Sequence, residues 1–339
     1  MVNQQDRLHS TPFSVLDLAP IVEGGTIAEA FEASKRLAQL TESLQYQRFW
    51  VAEHHNMPGI ASAATSLVIQ HLAQATSTMR IGSGGIMLPN HSSLVIAEQF
   101  GTLDALFPGR IDLGLGRAPG TDRVTSQALR RNLGQTGYEF PDQLDELMAY
   151  FSPKDIGGLP MVRAFPGEGA QVPIWLLGSS DFSARLAGQL GLPFAFASHF
   201  SPENTTTALR VYRTNFTPSS VLSQPYAMVA ANVIAADTSE EAHYLATSMQ
   251  QQFLNLIRDV RRPLPAPIKD INQSWSEHEK AIVNQRIGSS IVGNREEVKG
   301  GIEAFLAETE ADELMIQAQI FDLTSRLRSY EIIADLKAK

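Results

Sequence analysis

The sequence predicts an α/β protein closed into a single (β/α)8 TIM barrel spanning residues 1–339, and three observations predict it. Eight short, apolar, β-prone segments follow one another along the chain, and a stretch of helical period succeeds each. The strand segments are apolar throughout instead of alternating, the pattern of a parallel sheet covered by helices. A chain of 339 residues holding eight such units favours closure into a barrel over a doubly wound open sheet.

Each element has its own signal. Phe13 to Ala19 is apolar and β-prone, and Pro20 with Gly24 and Gly25 ends it. Ile27, Phe31, Leu37, Leu40 and Leu44 then fall near one helical face. Arg48 to Ala52 is the second strand and Ser62 to Thr76 its helix, with Ser62 a candidate N-cap. Arg80 to Leu88 makes the third strand, unusual for Gly82, Gly84 and Gly85 inside it. Ala97, Phe100, Leu103 and Phe107 mark the next helix, which Pro108-Gly109 stops. Ile111 to Leu115 is the fourth strand, and residues 121–172 are less regular, with helices expected near 122–133 and 141–152.

Pro173 to Leu177 forms the fifth strand with Ser183 to Leu190 as its helix. Phe194 to Ala197 is the sixth, followed by a helix through Leu209 and Tyr212. Tyr226 to Ala235 is the seventh, followed by the helix 239–258. Residues 259–292, with Pro263, Pro265, Pro267 and many polar neighbours, read as a long inserted excursion after that unit. A helix from Glu296 to Thr309, the strand Leu314 to Gln317 and the helix 322–337 complete the chain.

Composition narrows the function. A formal charge of −9 argues against nucleic acid, which needs a basic face. The absence of cysteine removes disulfides, thiolate catalysis and Cys-ligated metal centres. The N-terminal residues lack the basic-then-apolar pattern of a secretion signal, and no apolar run reaches the ~20 residues that span a bilayer. A cytoplasmic enzyme is expected.

In such a barrel the loops after the strands build the site. The strand ends supply Asp17, Glu53-His54-His55, Gly84-Gly85, Gly116-Arg117, Gly178-Ser179-Ser180, His199, Asn232 and Gln317. Adjacent histidines after a glutamate offer a general base with a hydrogen-bonding partner; one of them can equally satisfy local backbone groups. A metal is the weaker reading, because neighbours on a strand point to opposite faces and no HExxH pattern occurs. The small residues from Gly178 to Ser183 open a helix, which suits a phosphate or an ordinary N-cap. Arg117 adds a charged fork for the phosphate. The glycines of the third strand fit either a flat ring packed on the strand end or a bulge.

VAEHHN (51–56), RIGSGGIMLPNHSSLVIAEQFGTLDALFPGRIDLGLGRAPG (80–120) and LLGSSDFSARLAGQLGLPFAFA (176–197) together resemble the bacterial luciferase-like flavin monooxygenases, and within them single-chain FMN-type enzymes. The likeness runs from about Phe13 to Leu336. It implies reduced FMN from a separate NAD(P)H-dependent reductase, dioxygen adding at flavin C4a to give a peroxyflavin, oxygenation of a small organic substrate, and a homodimer. It implies His54 as the active-site histidine, with Glu53 shaping the flavin site and His55 and His91 orienting. It places a non-proline cis peptide at Gly84-Gly85 beneath the flavin ring. Arg117, Ser180 and Ser183, with Ser179 beside them, would hold the phosphate, and Arg130 or Arg131 would add a second cation. Gly116 stands where some members carry a reactive cysteine. Residues 259–292 correspond to a mobile active-site loop. The same barrel also hosts F420-dependent hydride transfer and non-catalytic flavin binding, which are the alternatives.

Overall fold

Burial on both faces decides where the strands lie. In the computed structural model, which describes residues 4–118, 122–129, 139–152 and 162–337, β1 (Phe13–Asp17), β2 (Arg48–Val51), β4 (Ile111–Gly116) and β7 (Ala227–Ala235) are buried at every position. Inward side chains fill the barrel and outward ones meet the helices, so no position is left for a polar alternation. β3 (Arg80–Met87), β5 (Ile174–Gly178), β6 (Phe194–Phe196) and β9 (Glu313–Gln317) complete an all-parallel ring in the order β1-β2-β3-β4-β5-β6-β7-β9. β9 pairs back onto β1 through Phe13 and Leu314, Ser14 and Met315, and Val15 and Ile316, so the ring closes and the barrel expectation is borne out. A short additional strand, β8 (Ile291–Gly293), pairs with Val233–Ala235 at the far end of β7.

The helices are α1 (Gln4–Ser10), α2 (Ile27–Ser43), α3 (Thr65–Ala75), α4 (Ser93–Leu106), α5 (Arg123–Leu129), α6 (Phe140–Phe151), α7 (Asp181–Leu190), α8 (Thr205–Thr214), α9 (Ser239–Ile257), α10 (Glu277–Ile287), α11 (Arg295–Thr309) and α12 (Leu323–Asp335). Phe49, Phe100, Phe194, Tyr212 and Tyr330 are fully buried between strands and helices. Inside the barrel, Leu16, Trp50, Trp175, Met228, Ala230 and Met315 form a separate apolar layer.

Three details differ from the sequence expectation. α1 is too short and polar to show a period; Leu8, fully buried, is its anchor. The stretch 259–292 holds α10 and the start of β8, and Ser276 with Glu279 forms a capping box at the start of α10. Ser62 is not the N-cap of α3; that position is Ala64, and the Ser62 hydroxyl donates to the Ala52 and Leu18 carbonyls instead. Arg130 and Arg131 lie outside the described residues.

The amino-terminal end of the barrel is sealed by charge. Arg48 pairs with Glu313 at 2.7 Å and Asp112 at 2.6 Å, while Arg80 reaches Asp112 at 2.6 Å. The Trp50 indole N–H donates to Asp112, and the Tyr226 and Ser14 hydroxyls donate to Glu313. Among the described residues, no helix is long and apolar enough to cross a membrane.

Candidate active site

At the carboxyl ends of the strands the barrel opens into a cavity of about 560 Å³. Its wall brings together His54, Gly84, Gly85, Arg117, Ser179, Ser180 and Ser183, which come from the ends of β2, β3, β4 and β5 and the first turn of α7. Leu16, Leu18, Leu177, Met228 and Met315 make much of the remaining surface apolar.

The glycines of β3 have two jobs. A Cβ on Gly82 would meet the Asp112 carbonyl oxygen at 2.6 Å, and one on Gly85 the Gly114 carbonyl oxygen at 2.7 Å, so β4 packs too closely for any side chain. Register shifts between Gly84 and Ile86, where the Gly84–Gly85 peptide is cis. The strand irregularity therefore lies in the cavity wall, and the bulge reading is borne out.

Ser180 occupies the N-cap of α7 in extended conformation, yet its side chain does not cap the helix. The first-turn N–H groups are thus not taken by that hydroxyl. Gly178 lets Ser183 approach: a Cβ there would meet the Ser183 Cβ at 2.7 Å. The Arg117 guanidinium lies 4.2 Å over the Phe182 ring, which fixes the cation beside this turn.

The two histidines, which lie beyond the end of β2, face different cavities. His54 faces the main cavity, whereas His55 lines a smaller neighbouring one of about 190 Å³ with Met57, Asp122 and Arg261. Glu53 is wholly buried. It accepts from His55 Nε2 at 2.8 Å, from His91 Nε2 at 2.9 Å and from the Met87 N–H at 3.0 Å. Burial would push its carboxyl up, but the hydrogen bonds from His55 and His91, the charge of His91 and the Met87 N–H outweigh it and hold the group at about 2. The donor atoms of Glu53, His55 and His91 lie within 4.8 Å of one another, close enough for a cation. Both carboxylate oxygens nevertheless accept hydrogen bonds, the arrangement of a protein-internal anchor.

Asp17 is taken up structurally, in an ion pair of 2.7 Å with buried Arg326 and a hydrogen bond from Ser34. Burial, and then the charge of His54, push His199, which lines the same cavity, down to about 3. The mouth is crossed by residues 256–264: Leu264 exchanges backbone hydrogen bonds with Ile21 and Glu23, and Arg261 pairs with Asp122 at 2.8 Å. This clamp carried no sequence signal, since its partners are 139 residues apart and form no motif.

The Luciferase-like monooxygenase profile matches residues 11–313. The chain belongs to that family. Within the family it is 58% identical to Uncharacterized protein YvbT of Bacillus subtilis (strain 168) over 99% of both chains. It is 54% identical to Luciferase-like monooxygenase of Escherichia coli (strain K12) over 96% of both. N-acetyl-S-alkylcysteine monooxygenase of Bacillus subtilis (strain 168) is 32% identical over 95% of this chain and 97% of its own. Among solved structures, apo-MsnO8 superposes with a TM-score of 0.85 at 33% identity, covering 96% of this chain and 98% of that one. The resemblance seen in the three quoted segments is thereby borne out, and the luciferase-like barrel is the frame in which the cavity belongs.

Proposed function

We propose that this chain is the oxygenase of a two-component flavin system, taking reduced FMN from a separate NAD(P)H-dependent reductase and using dioxygen to oxygenate a small organic molecule. One observation carries the reading: His54, the Gly84–Gly85 wall and the Arg117–Ser179–Ser180–Ser183 cluster share one cavity. Its volume falls within the ~300–1,000 Å³ of typical cofactor and ligand pockets. Membership of the luciferase-like monooxygenases supports the same reaction class.

Bound reduced flavin supplies the electrons that activate oxygen. Arg117 and the α7 N-terminus bind the phosphate, with Ser179, Ser180 and Ser183 as hydrogen-bond donors. Gly84 and Gly85 leave room for the ring system. His54 donates or accepts a proton at the reacting end. Glu53 and His55 are positioning residues that pin the segment carrying His54. Apolar walls and the segment 259–292, as a lid, exclude water. The enzyme acts in the cytoplasm as a homodimer.

Anaerobic titration tests the cofactor: the chain should bind reduced FMN in preference to reduced F420, and the reverse preference overturns the proposal. Arg117→Ala should weaken FMN by about tenfold or more while changing riboflavin little, because only FMN presents the charge. Equal losses for both would remove the phosphate pocket.

A further inference from the structure

Three strand ends outside the proposed flavin site carry polar side chains with an unmatched buried atom: His199 Nδ1, Asn232 Oδ1 and Gln317 Oε1. His199 follows β6, Asn232 lies in β7 and Gln317 ends β9, and these three strands are neighbours in the ring. Asn232 and Gln317 are register partners, 2% and 3% exposed. Asn232 shares the inward parity of Met228 and Ala230, and Gln317 that of Met315; all three of those residues line the cavity, as do His199 and Gln317 themselves. The flavin groups occupy the ends of β2 to β5, so this polar arc faces them across the mouth.

The orientation of Asn232 is fixed by its partners. Its Nδ2 donates to the His199 carbonyl at 2.6 Å and to Ser290 Oγ at 3.3 Å, which leaves Oδ1 as the free acceptor. The Gln317 carboxamide turns about a broad terminal torsion and can present either end to the cavity. Buried polar atoms are almost always paired, and leaving one unpaired costs ~1–3 kcal/mol. His199 and Gln317 line the cavity wall and Asn232 stands beside them in β7, a grouping that suits a partner bringing its own donors. The arc itself carries no charge, since His199 stays neutral at physiological pH; besides Arg117, the cavity wall holds Arg326, which is paired with Asp17, and Arg286, an exposed side chain of α10.

We propose that the arc of His199, Asn232 and Gln317 is the substrate-recognition site, and that it takes an uncharged amide whose N–H is donated to Gln317 Oε1, the unmatched carboxamide acceptor on the cavity wall. The apolar remainder of the substrate packs on Leu16, Leu18, Met228 and Met315. The inference rests on the flavin reading for the reaction, but the binding it describes does not need the cofactor.

A matched pair of probes tests it by calorimetric titration of the full chain with and without FMN: N-hexylacetamide, and hexyl acetate, which replaces the N–H by oxygen. A merely apolar cavity favours the ester, the less polar of the two. Wild-type protein should bind the amide about tenfold more tightly, the worth of one buried hydrogen bond. Gln317→Leu should abolish that preference and leave FMN affinity unchanged. Ester binding as tight as amide binding, binding of neither probe, or an amide preference surviving in Gln317→Leu would each overturn the proposal; the first two need no variant. Should FMN fail to bind while the amide preference and its loss both hold, the cofactor reading falls and the recognition site stands.

Discussion

Glu53 sets the behaviour of its corner of the site. Its carboxyl is held at about 2 in the folded chain, below the ordinary glutamate value, so the stabilisation it provides is present above that ordinary value. It is lost as pH falls from about 5 toward 2, and amounts to on the order of 3 kcal/mol. Glu53→Gln should therefore unfold at lower urea concentration than wild type at pH 7, with the gap closing toward pH 3; a gap independent of pH would place the effect elsewhere. His54→Ala should leave FMN affinity near normal while turnover collapses, and unchanged turnover would remove His54 from the chemistry. The AEHH run was readable in the sequence, and so was the divergence of its two histidines, although they lie just past β2 rather than on it. The meeting of His91 with Glu53 was not, since it depends on how a loop 38 residues away turns back after β3.

Among elements, α4 gives the sharpest test of packing against propensity. Gly101 lies inside this helix, and an alanine Cβ there would clash with the Gly167 Cα and meet its nitrogen at 2.5 Å. Helix propensity alone would have Gly101→Ala stabilise by about 1 kcal/mol. Overpacking against a backbone that cannot retreat costs about 1–3 kcal/mol and reverses the sign. Thermal unfolding should show a lowered Tm, and a raised one would mean that the turn at Gly167 yields. The strands were legible because burial on both faces writes continuous apolar runs. α10 was hidden by weak amphipathicity: only Val283 and Ile287 are buried, although its Ser276-to-Glu279 cap stands openly in the sequence.

For the whole molecule, closure of the ring and the charge network at its amino-terminal end act together. Arg48 is buried between Glu313 and Asp112, so Arg48→Met should cost on the order of 3–5 kcal/mol by stranding carboxylates. Arg80→Met should cost less, because that side chain is more exposed and Asp112 keeps Arg48; equal costs would contradict the network. The eight barrel strands and their order were readable from the repeated strand-helix rhythm, whereas the short β8 was not. The charged seal was not, because Arg48, Asp112 and Glu313 become neighbours only when the ring closes. The indole, methionine and leucine layer lies between that seal and the catalytic mouth, with no charged group of its own. Stability and specificity are thus lodged in separate compartments of one barrel. Changes to the recognising side chains should add to changes in the seal without coupling, which leaves substrate preference free to drift over generations while the scaffold stays put.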